Sequence, residues 1–174
     1  VFAEVPGSVA APTAGLHFTP DLLAQLADAG IRTATVTLHV GLGTFLPVKV
    51  DDPSKHEIHA EWCEISQATV DAIRATKAAG KRAIAVGTTT TRTLETAAVG
   101  GELAEFHGES RLYIRPPFEF RVLDGLVTNF HLPRTTLLLL VQAFAGSELL
   151  RSAYSEAIAR EYRFYSYGDA MLVL

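Results

Sequence analysis

The sequence predicts an α/β fold, with parallel strands covered by helices, in one domain spanning residues 1–174. Segments with helix-start and helix-end signals alternate with short β-rich runs, a pattern typical of parallel strands joined by helices. The chain has 174 residues and is 48% hydrophobic, so it can bury one substantial core. Its single cysteine excludes an intramolecular disulfide and a cysteine-rich zinc site, and favours a reducing, cytoplasmic compartment.

The first predicted elements are a helix and a strand. Thr19, Pro20 and Asp21 supply an N-cap, a rigid first position and an early acid, and Gly30 ends the helix. Residues 31–40 alternate in polarity and predict a strand, followed by the glycine-rich turn GLGTFLPV. One predicted face of this strand carries Ala34, Val36, Leu38 and Val40, and the other carries Thr33, Thr35, Thr37 and His39.

A second unit repeats the pattern of helix and strand. Ser66 is placed to cap a helix that Gly80 ends, and RAIAVG then predicts a short buried strand. The next run, TTTTRTLETAA, predicts another helix from the spacing of its apolar residues. Helix and strand therefore continue to alternate through the middle of the chain.

The last third mixes strands and helices. RLYIRPPFEF contains two prolines and predicts an edge strand or a loop, whereas GLVTNFHLP predicts a strand that ends in polar residues. Thr135 and Thr136 are placed to cap a leucine-rich helix, and Ser147 to cap the next one. The terminal YRFYSYGDAMLVL is predicted to be extended.

Charge and hydropathy narrow the possible functions. The net charge of −4 comes from 15 basic and 19 acidic residues that are mixed along the chain, which gives no electrostatic indication of nucleic acid binding. The longest apolar run, Leu137 to Val141, is far shorter than the ~20 residues of a membrane span. The chain does not begin with Met and shows no leader pattern, so we expect a fragment.

The strand AIAV leads through Gly87 into a helix that begins with Thr88 and Thr89. Backbone N–H groups and hydroxyls at such a helix start favour a phosphate or carboxylate, although an ordinary threonine N-cap is the alternative. The segment lacks the P-loop and dinucleotide-binding glycine patterns. Arg92, one turn into the helix, opposes the helix dipole and so requires an external partner or a remote carboxylate.

Two predicted strands end in polar residues that could meet a ligand. His39 precedes Gly41 and Gly43, whose backbone can turn tightly or approach a ligand. Asn129 and His131 are predicted to share one face at the end of the other strand, with Thr128 and Phe130 opposite, where ligands gather in α/β sheets. A common turn and a histidine satisfied within its loop are the alternatives.

The segment KHEIHAEW concentrates histidines and carboxylates. His56 and His59 are three apart, one short of the metalloprotease spacing, and neither strand nor helix geometry converges both on Glu61. An extended backbone instead places His59 and Glu61 on one face, which predicts a proton-transfer pair and no metal site. A salt-linked strand edge is the alternative.

Six segments occur in an order that identifies a resemblance: GSVAAPTAGLHFT, HVGLGTFLPV, HEIHAEW, AVGTTTTRTLE, TNFHLPRTTLLLLVQAFAG and YRFYSYGDAML. From Gly7 onward the chain resembles the C-terminal half of the S-adenosylmethionine:tRNA ribosyltransferase-isomerases of queuosine biosynthesis. The resemblance implies part of a large α/β domain, layered or barrel-like, without the small β-barrel domain of the family.

The resemblance also implies a reaction. The ribosyl part of S-adenosylmethionine moves onto 7-aminomethyl-7-deazaguanine at the tRNA wobble position, epoxyqueuosine forms, and adenine and methionine leave. This chemistry needs a base, an acid and a group that holds the amino-acid tail. The implied catalytic residues are His17, His39, His59, Glu61 and His131, with acid and base unassigned. The implied substrate-binding residues are Gly41, Gly43, Thr88, Thr89, Arg92, Asn129, Tyr165, Tyr167 and Asp169.

Further expectations follow from the same resemblance. S-adenosylmethionine is expected as a substrate, tRNA as the partner, and no metal, no membrane and a monomeric state are expected. Tyr165 and Tyr167 are expected to face the sulfonium as cation–π partners, with core packing as the alternative. Other functions compatible with the residues are a non-catalytic nucleotide-binding module and a metal-dependent hydrolase built on His56, His59 and Glu61.

Overall fold

The computed structural model describes residues 2, 5–41, 49–50 and 52–174 of the chain. These residues form five α-helices and six strands in two three-stranded sheets, so the predicted α/β class is confirmed. In chain order the elements are α1 (Pro20–Asp28), β1 (Thr37–Leu38), β2 (Glu61–Ile65), α2 (Gln67–Ala78), β3 (Ile84–Val86), α3 (Thr88–Ala97), β4 (Phe106–Ser110), β5 (Gly125–Asn129), α4 (Thr136–Ala145), α5 (Ser147–Ala159) and β6 (Ala170–Val173). Short 3-10 turns lie at Thr13–His17 and Pro53–Lys55.

The two sheets differ in strand direction. The first has the order β1-β2-β4 and is antiparallel. The second has the order β3-β5-β6, with β3 and β5 parallel and β6 antiparallel to β5. A parallel pair needs a long crossover between its strands, and the segment from β3 to β5, which includes α3, provides it. The predicted parallel pairing is therefore found between β3 and β5, and the other pairs are antiparallel.

Most of the predicted helix caps are present. Thr19, Ser66 and Thr135 each accept a hydrogen bond from the backbone N–H three residues later. The prediction for Ser147 is wrong, because Gly146 is the N-cap of α5 and no side chain caps that helix. The Ser147 hydroxyl instead accepts a 2.9 Å hydrogen bond from the Gln142 side chain.

The strand predicted for residues 31–40 is mostly absent. Among the described residues, Thr37 and Leu38 pair with β2 and His39 N donates to Trp62 O at 2.8 Å, whereas residues 31–35 are exposed on both of the predicted faces. Without a buried face, alternating residues have nothing to pack against and the extended backbone does not join a sheet. The predicted turn at 41–48 lies outside the described residues beyond Gly41.

Two predicted strands near the C-terminal end also need correction. RLYIRPPFEF forms no strand, in agreement with its loop alternative, and the strand of this region is the polar β4 immediately before it. The terminal segment is a strand only over β6, because residues 163–169 form a turn closed by a 2.7 Å hydrogen bond from Asp169 N to Arg163 O.

Helix α3 lies at the centre of the molecule and packs against strands of both sheets and against α4. Its Leu94 belongs to one apolar core that also contains Ile65 from the first sheet and Leu126 from the second. Because α3 follows β3 directly, its first residues lie beside the carboxyl end of β5. Within the described ranges, no helix is long and apolar enough to cross a membrane.

Candidate active site

Two adjoining clefts open where β3 and β5 end, and they share Thr88, Thr89 and Leu137 as a common border. The first cleft has largely apolar walls, whereas the second contains the polar residues at the end of β5. The first is lined by Ile58, Glu61, Thr88, Thr89, Arg92, Leu112, Tyr113, Ile114, Thr136, Leu137 and Leu140. The second is lined by Ala11, Pro12, Thr13, Ala14, Val40, Gly87, Thr88, Thr89, Thr128, Asn129, His131 and Leu137.

The start of α3 forms the border between the clefts. Gly87 turns the chain from β3 into the helix with φ of 93°, a conformation that glycine adopts without strain, and its N–H donates to Val127 O at 2.8 Å. The first N–H groups of a helix have no partner within the helix and carry the positive end of its dipole. Thr88 and Thr89 therefore bring N–H groups that have no partner within the helix to both clefts.

Arg92 forms a buried ion pair with Glu61, with 2.6 Å between Nη1 and Oε2. Arg92 is 7% exposed and Glu61 is 3% exposed. Arg92 Nη2 also donates to His59 O at 2.8 Å and to Ser110 O at 3.0 Å, and Glu61 Oε1 accepts from Gly41 N at 2.8 Å. Glu61 is thus the remote carboxylate that the position of Arg92 requires.

The Nε–H group of Arg92 is the exception to this pairing. It is buried and has no hydrogen-bond partner among the described residues. Burial lowers the pKa of the Arg92 guanidinium, and the charge of Glu61 acts in the opposite direction. The ion pair with Glu61 therefore favours a guanidinium that keeps its charge and has one donor free.

His59 and Glu61 do not share a face as predicted, since Glu61 is buried and His59 is exposed. The reason is that β2 begins only at Glu61, so regular strand alternation does not reach back to His59. His56 packs its ring against Tyr113, with 5.8 Å between the centroids. In the part of the chain that the structure describes, no three His, Cys, Asp or Glu side chains are grouped to hold a metal ion.

His131 belongs to a hydrogen-bonded group at the end of β5. The predicted alternation, with Asn129 and His131 opposite Thr128, is wrong because the strand ends at Asn129 and the next turn brings His131 Nε2 within 2.8 Å of Thr128 Oγ1. The Tyr154 hydroxyl accepts from His131 N at 2.8 Å and donates to His131 O at 3.0 Å. Desolvation lowers the pKa of His131 from 6.5 to about 4 and raises the pKa of Tyr154 to about 12.

Asn129 links His17 to the same site. The buried amide lies 3.1 Å from His17 Nε2 through its Nδ2 and accepts from Thr13 Oγ1 at 3.3 Å through its Oδ1. The 3-10 turn Thr13–His17 thereby brings an imidazole ring to the end of β5.

His39 does not line either cleft in the described structure. Its ring packs on Trp62 with 5.0 Å between centroids, and its buried Nδ1 has no partner among the described residues. Gly7 packs so closely that a Cβ there would lie 2.7 Å from the His39 ring. The surroundings of His39 are therefore those of a packed side chain.

The remaining predicted substrate-binding residues lie on the surface or outside the described structure. Tyr165 and Tyr167 are 62% and 87% exposed, so neither is packed in the core. Asp169 accepts from Arg163 N at 2.7 Å, and this hydrogen bond lowers the pKa of its carboxyl group. Gly41 contributes the N–H that contacts Glu61, and Gly43 lies outside the described residues.

The structure also contains buried polar residues that the sequence did not single out. Tyr154 holds both backbone groups of His131, and Glu95 accepts from Arg121 N at 2.9 Å and Val122 N at 3.0 Å. Glu95 follows Arg92 by three residues, so the two lie on neighbouring parts of the same helix face. That spacing was the available signal, because charged residues three apart on a helix that carries no other charge indicate partners for each other or elsewhere in the fold.

The sequence matches a family model described as "Queuosine biosynthesis protein" over residues 1–173. Curated relatives called S-adenosylmethionine:tRNA ribosyltransferase-isomerase are 59% identical in Acaryochloris marina and 56% identical in Thermotoga maritima, each over the whole of this chain. These alignments cover 47% and 52% of the relatives, so the chain spans about half their length. A crystal structure of S-adenosylmethionine tRNA ribosyltransferase from Thermotoga maritima is 50% identical, with a TM-score of 0.78 over 92% of this chain and 51% of that one.

Proposed function

Since the chain belongs to the family of queuosine biosynthesis proteins, we propose that the full-length protein is an S-adenosylmethionine:tRNA ribosyltransferase-isomerase. It transfers the ribosyl part of S-adenosylmethionine to 7-aminomethyl-7-deazaguanine in tRNA, forms epoxyqueuosine and releases adenine and methionine. The observation that carries the proposal is the pair of clefts at the ends of β3 and β5, where His131 lies beside the first N–H groups of α3.

The reaction requires a base that removes a proton beside the sulfonium and an acid near the departing adenine. His131 and His17 are suited to these steps because both bring imidazole rings to the end of β5. Either ring can accept a proton and pass it on, and the two roles remain unassigned between them. His59 and His39 are further candidates from the sequence, one exposed and the other packed on Trp62.

Glu61 and Arg92 support the site in a different way. Their ion pair fixes the backbone of Gly41, His59 and Ser110 around the start of α3. We propose Glu61 as a residue that acts through this arrangement, and Thr88, Thr89, Arg92 and Asn129 as substrate contacts. Gly43, Tyr165, Tyr167 and Asp169 remain proposed contacts on the sequence pattern alone.

The proposed protein is a cytoplasmic monomer that uses S-adenosylmethionine as a substrate and needs no metal. Its test is adenine release when the full-length protein is mixed with S-adenosylmethionine and precursor tRNA. Adenine and epoxyqueuosine in equal amounts are expected, and chelator treatment should leave the rate unchanged. Release of S-adenosylhomocysteine would identify a methyltransferase and contradict the proposal, as would S-adenosylmethionine binding with no adenine release.

A further inference from the structure

Three sets of donors belong to residues that line the first cleft. One is the Nε–H of Arg92, which is buried and unpartnered among the described residues. The second is the start of α3 at Thr88 and Thr89, and the third is the start of α4 at Thr136 and Leu137. Thr135 caps α4 through Leu138 N, which leaves the earlier N–H groups of that helix without an internal partner. We call Thr88, Thr89 and Arg92 Nε the cleft floor.

The charge at the cleft floor favours a single small anion. Glu61 already compensates the positive charge of Arg92, so the net attraction comes from one free guanidinium N–H and from the two helix dipoles. An isolated buried N–H loses solvation without a partner, so an acceptor oxygen there would satisfy it. A carboxylate offers two such oxygens and one negative charge.

The walls of the cleft indicate what is attached to the anion. Five of them are aliphatic: Ile58, Leu112, Ile114, Leu137 and Leu140. A phosphate in a polynucleotide is strongly hydrated and would lose that hydration against such walls. The methionine part of S-adenosylmethionine carries its carboxylate and α-ammonium group at the end of two methylene groups, so the carboxylate can meet the polar floor while the methylene groups lie against the aliphatic walls.

We propose that the cleft floor binds the α-carboxylate of the methionine part of S-adenosylmethionine, with Arg92 Nε as a direct donor. The inference rests on the proposed function, which supplies the substrate. It assigns Arg92 two separate contacts: the guanidinium end holds Glu61 and the backbone of β4, and Nε holds the ligand.

The test compares two ligands and two variants by isothermal titration calorimetry on the full-length protein. Decarboxylated S-adenosylmethionine lacks only the proposed anchor, and wild type should bind it about tenfold more weakly or worse, as expected for losing a charged hydrogen bond. Arg92→Lys keeps a cation for Glu61 but removes Nε, so it should bind S-adenosylmethionine more weakly and discriminate less between the two ligands than wild type does. Arg160→Lys, at an exposed arginine paired with Glu156, is the matched control and should discriminate as wild type does.

Equal affinity of wild type for the two ligands would overturn the inference, and this result does not depend on whether Arg92→Lys folds. Weaker binding of tRNA alone by Arg92→Lys, with unchanged discrimination between the two small ligands, would assign the floor to a phosphate and also overturn it. Adenine release is measured separately. If adenine release is normal but wild type binds S-adenosylmethionine and its decarboxylated form equally well, only this inference is contradicted. If wild type strongly prefers S-adenosylmethionine but releases no adenine, only the proposed function is contradicted.

Discussion

The ion pair between Arg92 and Glu61 affects the stability of the fold as well as the candidate active site. Both side chains are almost completely buried, and between them they contact the backbone of three other residues. A buried charge that loses its partner remains desolvated without compensation. Substitutions at this pair are therefore expected to affect folding as well as activity.

We predict that Glu61→Gln lowers the free energy of unfolding of the full-length protein by about 3 kcal/mol, because it leaves Arg92 buried and unpaired. His59→Ala should change it by less than about 0.5 kcal/mol, since its exposed ring leaves the carbonyl that Arg92 contacts in place. Urea unfolding monitored by circular dichroism measures both. Equal stability of wild type and Glu61→Gln would show that the pair contributes nothing net.

His131 provides a pH-dependent prediction. Its pKa is about 4 in the folded protein and 6.5 ordinarily, so the neutral form is favoured by folding. The contribution of His131 to the free energy of unfolding is fully present above pH 6.5. It is lost as the pH falls towards 4, because the unfolded chain takes up the proton first. The full loss is about 3 kcal/mol.

The measurement is the difference in unfolding free energy between wild type and His131→Gln across this pH range. Wild type should lose stability relative to the variant as the pH is lowered from 6.5 to 4. His107→Gln, at an exposed histidine of β4, is the matched control and should run parallel to wild type. A constant difference between wild type and His131→Gln would contradict the burial of a neutral imidazole.

Part of this site could be predicted from single residues. The helix dipole indicated that Arg92 needs an external partner or a remote carboxylate, and such a carboxylate is present. Its identity could not be predicted, because Glu61 lies 31 residues earlier and reaches Arg92 only through the packing of the first sheet on α3. The prediction that His59 and Glu61 share a face was wrong for a related reason, because it assumed a strand that starts before Glu61.

At the scale of elements, local signals were reliable where the helix ends are set by their own residues. Hydroxyls at Thr19, Ser66 and Thr135 cap helices as their sequences predict. Strands depend on a neighbour, and β4 pairs along its whole length with β2 although its sequence, FHGES, has little strand character. Residues 31–36 have that character, but among the described residues no strand pairs with them.

The two hydroxyls near α4 and α5 offer a matched comparison. Thr135→Ala removes the hydrogen bond to Leu138 N and should lower the unfolding free energy by about 1 kcal/mol. Ser147→Ala removes only an exposed contact with Gln142 and should have an effect within about 0.5 kcal/mol. Thermal unfolding of the two variants side by side measures the difference. A larger loss for Ser147→Ala would show that it caps α5 after all.

At the scale of the whole molecule, the second sheet has apolar residues on both faces. One face contributes Leu126 to the core, and the register places Ile84, Val127, Leu172 and Leu174 together on the other. On that second face, Ile84 is 40% exposed, Leu172 57% and Leu174 62%. Contiguous apolar surface of this kind marks an interaction surface or a tendency to associate.

We predict that the 174-residue chain on its own self-associates through this face. Leu172→Lys should shift it towards monomer, because a charge at the centre of the face disfavours its burial. Leu149→Lys, at an exposed leucine of α5, should leave the association unchanged. Sedimentation velocity over a range of concentrations measures both variants. A wild-type chain that remains monomeric at high concentration would contradict the prediction.

The chain enters the two sheets in an interleaved order. Strands β1 and β2 belong to the first sheet and β3 to the second, but β4 returns to the first before β5 and β6 complete the second. Any break between Ile65 and Gly125 therefore leaves at least one sheet divided between two pieces. A genetic crossover with a distant relative inside this interval would join strands of different ancestry in one sheet. Shuffled libraries of this domain should therefore place their junctions before β1 or after β6, where neither sheet is divided.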